Sequence, residues 1–181
     1  AFGLNKSKKI RSVYLNITSS IKKYMLMKTL INLGAAAFSG IVMAVFGLDF
    51  FLMWILIIFL ILWIPYIGSA LSIGLPIIMS LLQFDAGYKI VIFSILIFSG
   101  IITFGNILEP KILGKQLNIS PLLVLISMTF WAWLWGVVGV ILSVPISVAI
   151  KIVGSNFENT KSMAILMSEA VEPEEAKTIV K

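Results

Sequence analysis

FFLMWILIIFLILWIPYIGSALSIGLP, residues 50–76, decides the fold, because helix-breaking residues interrupt a long run without charge. Residues 50–64 would form about 23 Å of helix, which is short of the roughly 30 Å hydrocarbon core of a bilayer. Pro65, Gly68, Gly74 and Pro76 then follow. Proline removes a backbone donor, and hydrocarbon contains no water to replace the lost hydrogen bond. The stretch therefore predicts a broken or re-entrant membrane helix.

The composition of the whole chain also indicates a membrane protein. Of the 181 residues, 60% are hydrophobic and only 12% are charged, whereas soluble domains carry about 25% charged residues. Cysteine and histidine are absent, which excludes disulfides, thiolate or histidine metal sites and histidine-dependent nucleophiles. We therefore expect no metal site, no cofactor and no enzymatic activity.

The hydropathy pattern predicts an all-α, polytopic integral membrane protein with three regions. Residues 1–28 are predicted to form a basic amphipathic interfacial helix, and residues 152–181 a polar cytoplasmic tail. Residues 29–151 are predicted to form the transmembrane domain, with spans or half-spans at about 30–48, 50–64, 69–82, 90–108 and 121–150.

Residues 1–28 hold seven Lys or Arg and no acidic residue. Apolar residues recur there at intervals of three and four, which places them on one helix face and the lysines toward anionic headgroups. The positive-inside rule places this end in the cytoplasm. Nucleic acid is not expected as a partner, because the basic run leads directly into membrane segments.

A stripe of small residues lies in the first predicted span, at Ala36, Gly40 and Ala44. The four-residue spacing puts them on one face, where small side chains allow membrane helices to approach closely. This face predicts close packing either within one chain or between subunits.

Two membrane topologies fit the remaining segments. In one, residues 69–82 cross the bilayer and residues 121–150 fold back as a hairpin. In the other, residues 69–82 are re-entrant and residues 121–150 form a single, tilted and broken crossing. Both place the tail in the cytoplasm, and the sequence leaves the choice open.

Three interrupted segments stand out because proline and glycine occur within or beside apolar runs. They contain Pro65, Gly68, Gly74 and Pro76; then Asn106, Glu109, Pro110, Gly114 and Pro121; then Trp135, Gly136, Gly139 and Pro145. Broken backbone at membrane depth is tolerated where it is buried in protein or lines a wet cavity, and carriers build substrate sites this way. The segments predict a pocket or gate, although a single Pro or Gly is also typical of a simple kink.

Two groups could contact a solute directly. Glu109 either binds a proton or a cation or marks the membrane boundary beside Lys111, and Asn106 could add a polar contact. The cluster of Trp131, Trp133 and Trp135 is typical of an interfacial aromatic belt, and it would equally line a pocket.

The motifs together resemble a known family. Pro-Tyr-x-Gly at residues 65–68 is followed by Asn-x-x-x-Pro-x-x-x-Gly at residues 106–114 and by Pro121 seven residues later. Trp-Gly-x-x-Gly at residues 135–139 and Pro145 complete the series. In order and spacing, these motifs resemble the carboxyl-terminal half of the autoinducer-2 exporter family of bacterial membrane proteins.

The resemblance implies a polytopic carrier in the bacterial inner membrane that exports small molecules, with autoinducer-2 as the name-giving substrate. Some relatives are described instead as sodium(lithium)/proton antiporters. The resemblance also implies a homo-oligomer, such as a pentamer, in contact with membrane lipid. Family chains are roughly twice this length, so we expect amino-terminal membrane segments beyond the present sequence, which starts at Ala1 without methionine.

Three functions follow from these patterns. The first is a secondary exporter of a small polar metabolite, whose pathway or gate is formed by Pro65, Gly68, Asn106, Glu109, Pro110, Gly114, Pro121, Trp135, Gly136, Gly139 and Pro145. The second is a cation/proton antiporter with Glu109 as the exchanging carboxylate. The third is a membrane scaffold that transports nothing and recruits partners.

Overall fold

The computed structural model describes residues 2–114 and 120–156. The predicted tail therefore lies outside the described residues from position 157 onward. The chain divides into two compact units, Tyr24–Lys115 in one and Ala1–Lys23 with Gln116–Lys181 in the other. Each unit is described by itself below.

All described elements are helices, which confirms the predicted all-α, polytopic class. Within residues 2–114 and 120–156, the α-helices are α1 Phe2–Phe46, α2 Phe51–Ile61, α3 Ile67–Gln83, α4 Gly87–Ile102 and α5 Pro121–Asn156. Two π-helical segments, Thr103–Leu108 and Pro110–Gly114, follow α4. In this described part of the chain, three helical stretches are long and apolar enough to cross a membrane: Arg11–Phe46, Gly87–Leu113 and Leu122–Gly154.

Helix α1 is continuous for 45 residues, so the predicted boundary at residue 28 does not coincide with a helix end. The sequence contains neither proline nor a pair of glycines in this stretch, and so nothing interrupts its hydrogen-bond ladder. Lys28 also departs from the expectation that the lysines of residues 1–28 face headgroups, because its side chain is buried. The reason is spacing, since Ile17, Ile21 and Tyr24 precede Lys28 at intervals of four, three and four on the apolar face.

Helices α1 and α4 pack antiparallel through reciprocal contacts between small residues and aromatic rings. A β-carbon added at Gly34 would lie 2.7 Å from Phe104 Cε1, and one added at Gly100 would overlap the ring of Phe38. The contacts follow one antiparallel register: Lys28 with Glu109, Gly34 with Phe104, Phe38 with Gly100 and Phe46 with Phe93. This register pairs the second half of α1 with α4 and with the irregular segment that follows α4.

Gly100→Ala is expected to destabilise the protein by about 1–3 kcal/mol, because the added methyl group meets a ring within a packed core. Gly74→Ala is the matched control, since no atom lies within 4 Å of a β-carbon there. Denaturant unfolding of both variants in detergent would measure the difference. Equal stabilities would show that α1 and α4 can separate slightly at no cost.

The small-residue stripe of α1 packs within the chain at two of its three positions. Ala36 and Gly40 are buried, and a β-carbon at Gly40 would overlap the side chain of Ile55 in α2. Ala44 is exposed, so the predicted three-residue face is shorter than expected. The chain leaves the helix only three residues later, where Gly47 adopts a positive φ of 73°.

Helices α2 and α3 form a hairpin whose two ends meet. The side chain of Gln83, at the end of α3, accepts a hydrogen bond from the Asp49 amide at 2.9 Å and donates one to the Gly47 carbonyl at 2.8 Å. The end of α3 therefore lies beside the turn that starts α2. At 11 residues, α2 extends only about 17 Å, which is little more than half of the roughly 30 Å hydrocarbon core of a bilayer.

Helix α5 also folds back on itself, at Gly136. This residue has φ 61° and ψ −139°, which is not helical. Ser127 Oγ donates to the Ser143 carbonyl at 3.2 Å, and Ser147 Oγ donates to Ser127 Oγ at 2.7 Å. Residues this far apart in one straight helix would be separated by about 24 Å or more. Residues 121–150 therefore fold back as a hairpin, which is a feature of one of the two predicted topologies.

Candidate functional site

The ion pair between Lys28 and Glu109 is the main polar feature of the unit formed by Tyr24–Lys115. Lys28 Nζ donates to Glu109 Oε1 at 2.6 Å, and the side chains are 5% and 27% exposed. Glu109 thus pairs with a residue 81 positions away instead of the neighbouring Lys111, whose side chain is exposed. A charge within an apolar helix is expensive unless it is paired, and such residues mark functional sites in membrane proteins.

Irregular helix geometry places Glu109 at this position. The Glu109 amide donates to the carbonyl of Phe104, five residues earlier, which is the hydrogen bond of a π-helix. Pro110 follows and has no N–H, so an α-helical ladder would lose a bond here in any case. The alternative hydrogen-bond pattern is therefore less costly at this point than elsewhere, and π-helical turns are frequent at functional sites.

The facing surface of α1 carries three polar residues at four-residue spacing, Tyr24, Lys28 and Asn32. Their exposed fractions are 5%, 4% and 1%. The Asn32 Nδ2 atom is buried and has no hydrogen-bond partner, which is uncommon because most buried polar groups are paired. Sequence reasoning missed both Lys28 and Asn32. Their spacing from Tyr24 was the available signal, since residues four apart share a helix face.

The first interrupted segment lies against the second. After α2 ends at Ile61, the chain turns through Pro65 and through Tyr66, which has a positive φ of 61°. Gly68 is buried, and a β-carbon there would overlap the Ile61 carbonyl, so only glycine permits this close return. Ser69 Oγ, in the first turn of α3, would be 3.4 Å from a β-carbon at Gly105 in the first π-helical segment. Two of the three interrupted segments therefore meet in one unit.

Further unpaired polar atoms lie in the core of the same unit. Ser72 Oγ on α3, Ser39 Oγ on α1 and Trp54 Nε1 on α2 are buried and have no hydrogen-bond partner. A buried donor without a partner costs about 1–3 kcal/mol. Together with the Asn32 amide, they make this core more polar than the packing of apolar helices requires.

The third interrupted segment belongs to the other unit, in α5. Trp135 and Gly136 are exposed at the hairpin tip, while Gly139 and Pro145 are buried. A β-carbon at Gly139 would overlap the Trp131 carbonyl, and the rings of Trp131 and Trp135 lie 5.0 Å apart. The tryptophans thus occupy the end of a helical hairpin, as an aromatic belt or a pocket lining would require.

Other predicted pathway residues occupy less enclosed positions. Asn106 and Pro110 are exposed, and Pro65 is half-buried. Gly114 ends the second π-helical segment and Pro121 begins α5, where the missing proline N–H is tolerated because the first amides of a helix have no partner within it.

Comparison with known proteins yields a consistent set of similarities. Residues 3–159 match a family described as AI-2E family transporter. A protein of Borreliella burgdorferi, named as a candidate transport protein, is 38% identical over 83% of this chain and 42% of its own length. The AI-2 transport protein TqsA of Escherichia coli K12 is 35% identical over 83% of this chain and 43% of its own length. The present chain therefore spans less than half the length of these relatives.

Proposed function

The chain belongs to the AI-2E family of transporters, and on that premise we propose that it is part of a secondary transporter of the bacterial inner membrane. The proposed cargo is a small polar metabolite or signalling molecule such as autoinducer-2, and the proposed direction is export. The observation that carries this proposal is the Lys28–Glu109 ion pair, which lies between two apolar helices where one of them becomes π-helical.

A charged residue within a membrane helix is costly unless it is paired or hydrated. A purely structural contact between α1 and α4 would need none of this, since Gly34, Phe38, Gly100 and Phe104 already interlock. The ion pair and the interrupted hairpin tip of α2 and α3 are explained if the region must interact with a polar solute during transport.

The orientation and assembly are part of the same proposal. The basic amino-terminal segment of α1 is expected on the cytoplasmic side. Helix α1 would then end at the periplasmic side, where α2 begins, so the tip of the α2–α3 hairpin would point toward the cytoplasm. A homo-oligomer is also expected, in which the exposed apolar faces contact lipid or neighbouring subunits.

Cation/proton antiport is a second candidate, because one observation favours it. Among the described residues, Glu109 is the acidic residue that lies within a candidate membrane span, so it is the natural group for exchange there. In this mechanism a cation would have to displace the Lys28 ammonium from the carboxylate. Proteoliposomes containing wild-type protein would then show sodium or lithium flux driven by a pH gradient.

The experiment is solute uptake into everted membrane vesicles that contain the full-length protein, with and without a proton gradient. Wild type and Asp85→Asn, which removes an exposed carboxylate from the α3–α4 turn, are expected to take up autoinducer-2. Glu109→Gln is expected to reduce the rate by about tenfold or more, equivalent to at least about 1.4 kcal/mol. Cation exchange without autoinducer-2 uptake would favour the antiporter. No flux of any solute, with a co-purifying partner protein, would favour the scaffold.

A further inference from the structure

The two partners of the Lys28–Glu109 pair are held very differently. Lys28 lies in the middle of the unbroken helix α1, and its side chain is 5% exposed. Glu109 lies between two π-helical segments, and its side chain is 27% exposed. The ammonium is therefore the fixed, enclosed partner, while the carboxylate stands on irregular backbone and is partly uncovered by the described residues.

This difference decides which partner leaves when the pair opens. A carboxylate that its neighbours leave partly uncovered can turn out of the contact, whereas the enclosed ammonium has no such exit and would remain as an uncompensated buried charge. Lys28 must then receive another negative group. When this ion pair opens, the negative partner is therefore exchanged and the Lys28 ammonium stays in place.

A second donor lies beside the ammonium. Asn32 is one helical turn from Lys28 on the same buried face of α1, and its Nδ2 atom has no partner. Side chains four residues apart on a helix are neighbours, with β-carbons about 6 Å apart, so both donors lie on the same face of α1. Glu109 accepts a hydrogen bond from Lys28 and none from Asn32. The Asn32 side-chain amide is therefore left for a different ligand.

We propose that Lys28 and Asn32 form a subsite for a small oxyanion, such as a carboxylate or phosphate group of the transported solute. In the present structure the Glu109 carboxylate is bound to the Lys28 ammonium, and the solute displaces it on binding. The inference rests on the proposed transport function and adds the chemical class of cargo to it. In this role Glu109 competes with the cargo for the Lys28 ammonium, whereas in the antiporter it would bind the exchanged cation.

The test is thermal unfolding of the full-length protein in a neutral detergent, with acetate or phosphate replacing chloride at constant ionic strength. Glu109→Gln removes the competitor, so acetate or phosphate should stabilise this variant with saturation at a concentration about tenfold or more below that for wild type. Lys28→Met/Glu109→Gln should show no such response, and Asn32→Leu/Glu109→Gln should show a weaker one. An equal response in Glu109→Gln and in the Lys28→Met double variant would overturn the subsite.

Two further arms keep the result decisive. Glu109→Asp retains the negative charge but shortens the side chain, so it should fold and bind the anion more tightly than wild type; unchanged binding would count against the proposal. Phosphatidylglycerol is added separately, because its phosphate is another source of the same chemistry. Stabilisation by this lipid and by neither soluble anion would contradict a cargo subsite.

The anion subsite and the transport function can be rejected independently of each other. Anion binding that depends on Lys28, in a protein that moves no solute in vesicles, would reject transport and retain the subsite. Solute uptake that persists in Lys28→Met would reject the subsite and retain transport.

Discussion

Glu109→Leu is expected to destabilise the protein by about 3–5 kcal/mol, because it leaves the enclosed Lys28 ammonium without a counter-charge. Lys28→Met is expected to cost less, about 1–3 kcal/mol, since the Glu109 carboxylate that remains is less enclosed than the ammonium. The exposed fractions of 5% and 27% are the basis of this asymmetry. Denaturant unfolding of the full-length protein in detergent would measure both values.

The double variant Lys28→Met/Glu109→Leu supplies the critical comparison. Replacing a buried ion pair by apolar side chains of similar size is often neutral or stabilising, so the double variant should be more stable than Glu109→Leu alone. Lys111→Met is the control, because that exposed lysine lies in the same π-helical region and should change stability by about 0.5 kcal/mol or less. Additive losses in the double variant would show that the two charges do not act as a pair.

Gly136→Ala is expected to have the second large effect, because the fold of α5 depends on a backbone conformation that other residues avoid. At φ 61° and ψ −139°, a side chain clashes with the backbone, and the strain is of order 1–3 kcal/mol. The two arms should therefore separate or the turn should shift, which would break the hydrogen bonds among Ser127, Ser143 and Ser147.

A disulfide reports this change directly. The present sequence contains no cysteine, and Ser147 Oγ lies 2.7 Å from Ser127 Oγ, so cysteines at both positions are close enough to pair. The pair should cross-link readily in an otherwise wild-type background and much more slowly with Gly136→Ala. Gly74→Ala serves as control, since nothing contacts a β-carbon there. Unchanged cross-linking in Gly136→Ala would mean that the turn does not require glycine.

The positions of the helix interruptions could be predicted from the sequence because their causes are local. Pro65 with Gly68, and Gly136 with Gly139, act on the backbone within a few residues of themselves. The structure accordingly breaks between α2 and α3 and again within α5. The exact end of α2 was not predicted, because residues 62–64 are apolar and would extend the helix if the close contact of Gly68 with the Ile61 carbonyl did not require an earlier turn.

The partner of Glu109 could not be predicted from local sequence. Lys111 is two residues away, whereas Lys28 is 81 positions away and becomes a neighbour only through the antiparallel packing of α1 and α4. The π-helical turns that orient the carboxylate likewise depend on tertiary contacts, since Pro110 lowers the cost of an irregular turn without specifying its hydrogen-bond pattern. The polar contact that Asn106 is predicted to make with a solute stays a prediction, and its side chain is exposed in this structure.

The clamp formed by Gln83 has a mechanical consequence for the α2–α3 hairpin. Its two hydrogen bonds to Gly47 and Asp49 join the end of α3 to the turn before α2. The two helices are therefore held together at this end of the hairpin, and the turn near Pro65 forms the opposite end. Because the 11 residues of α2 extend about 17 Å, tilting this helix by about 10° about its first residue would move the tip by about 3 Å. A small rotation of the hairpin at the Gln83 end would thus move Ser69 relative to Gly105, which it contacts in the first π-helical segment.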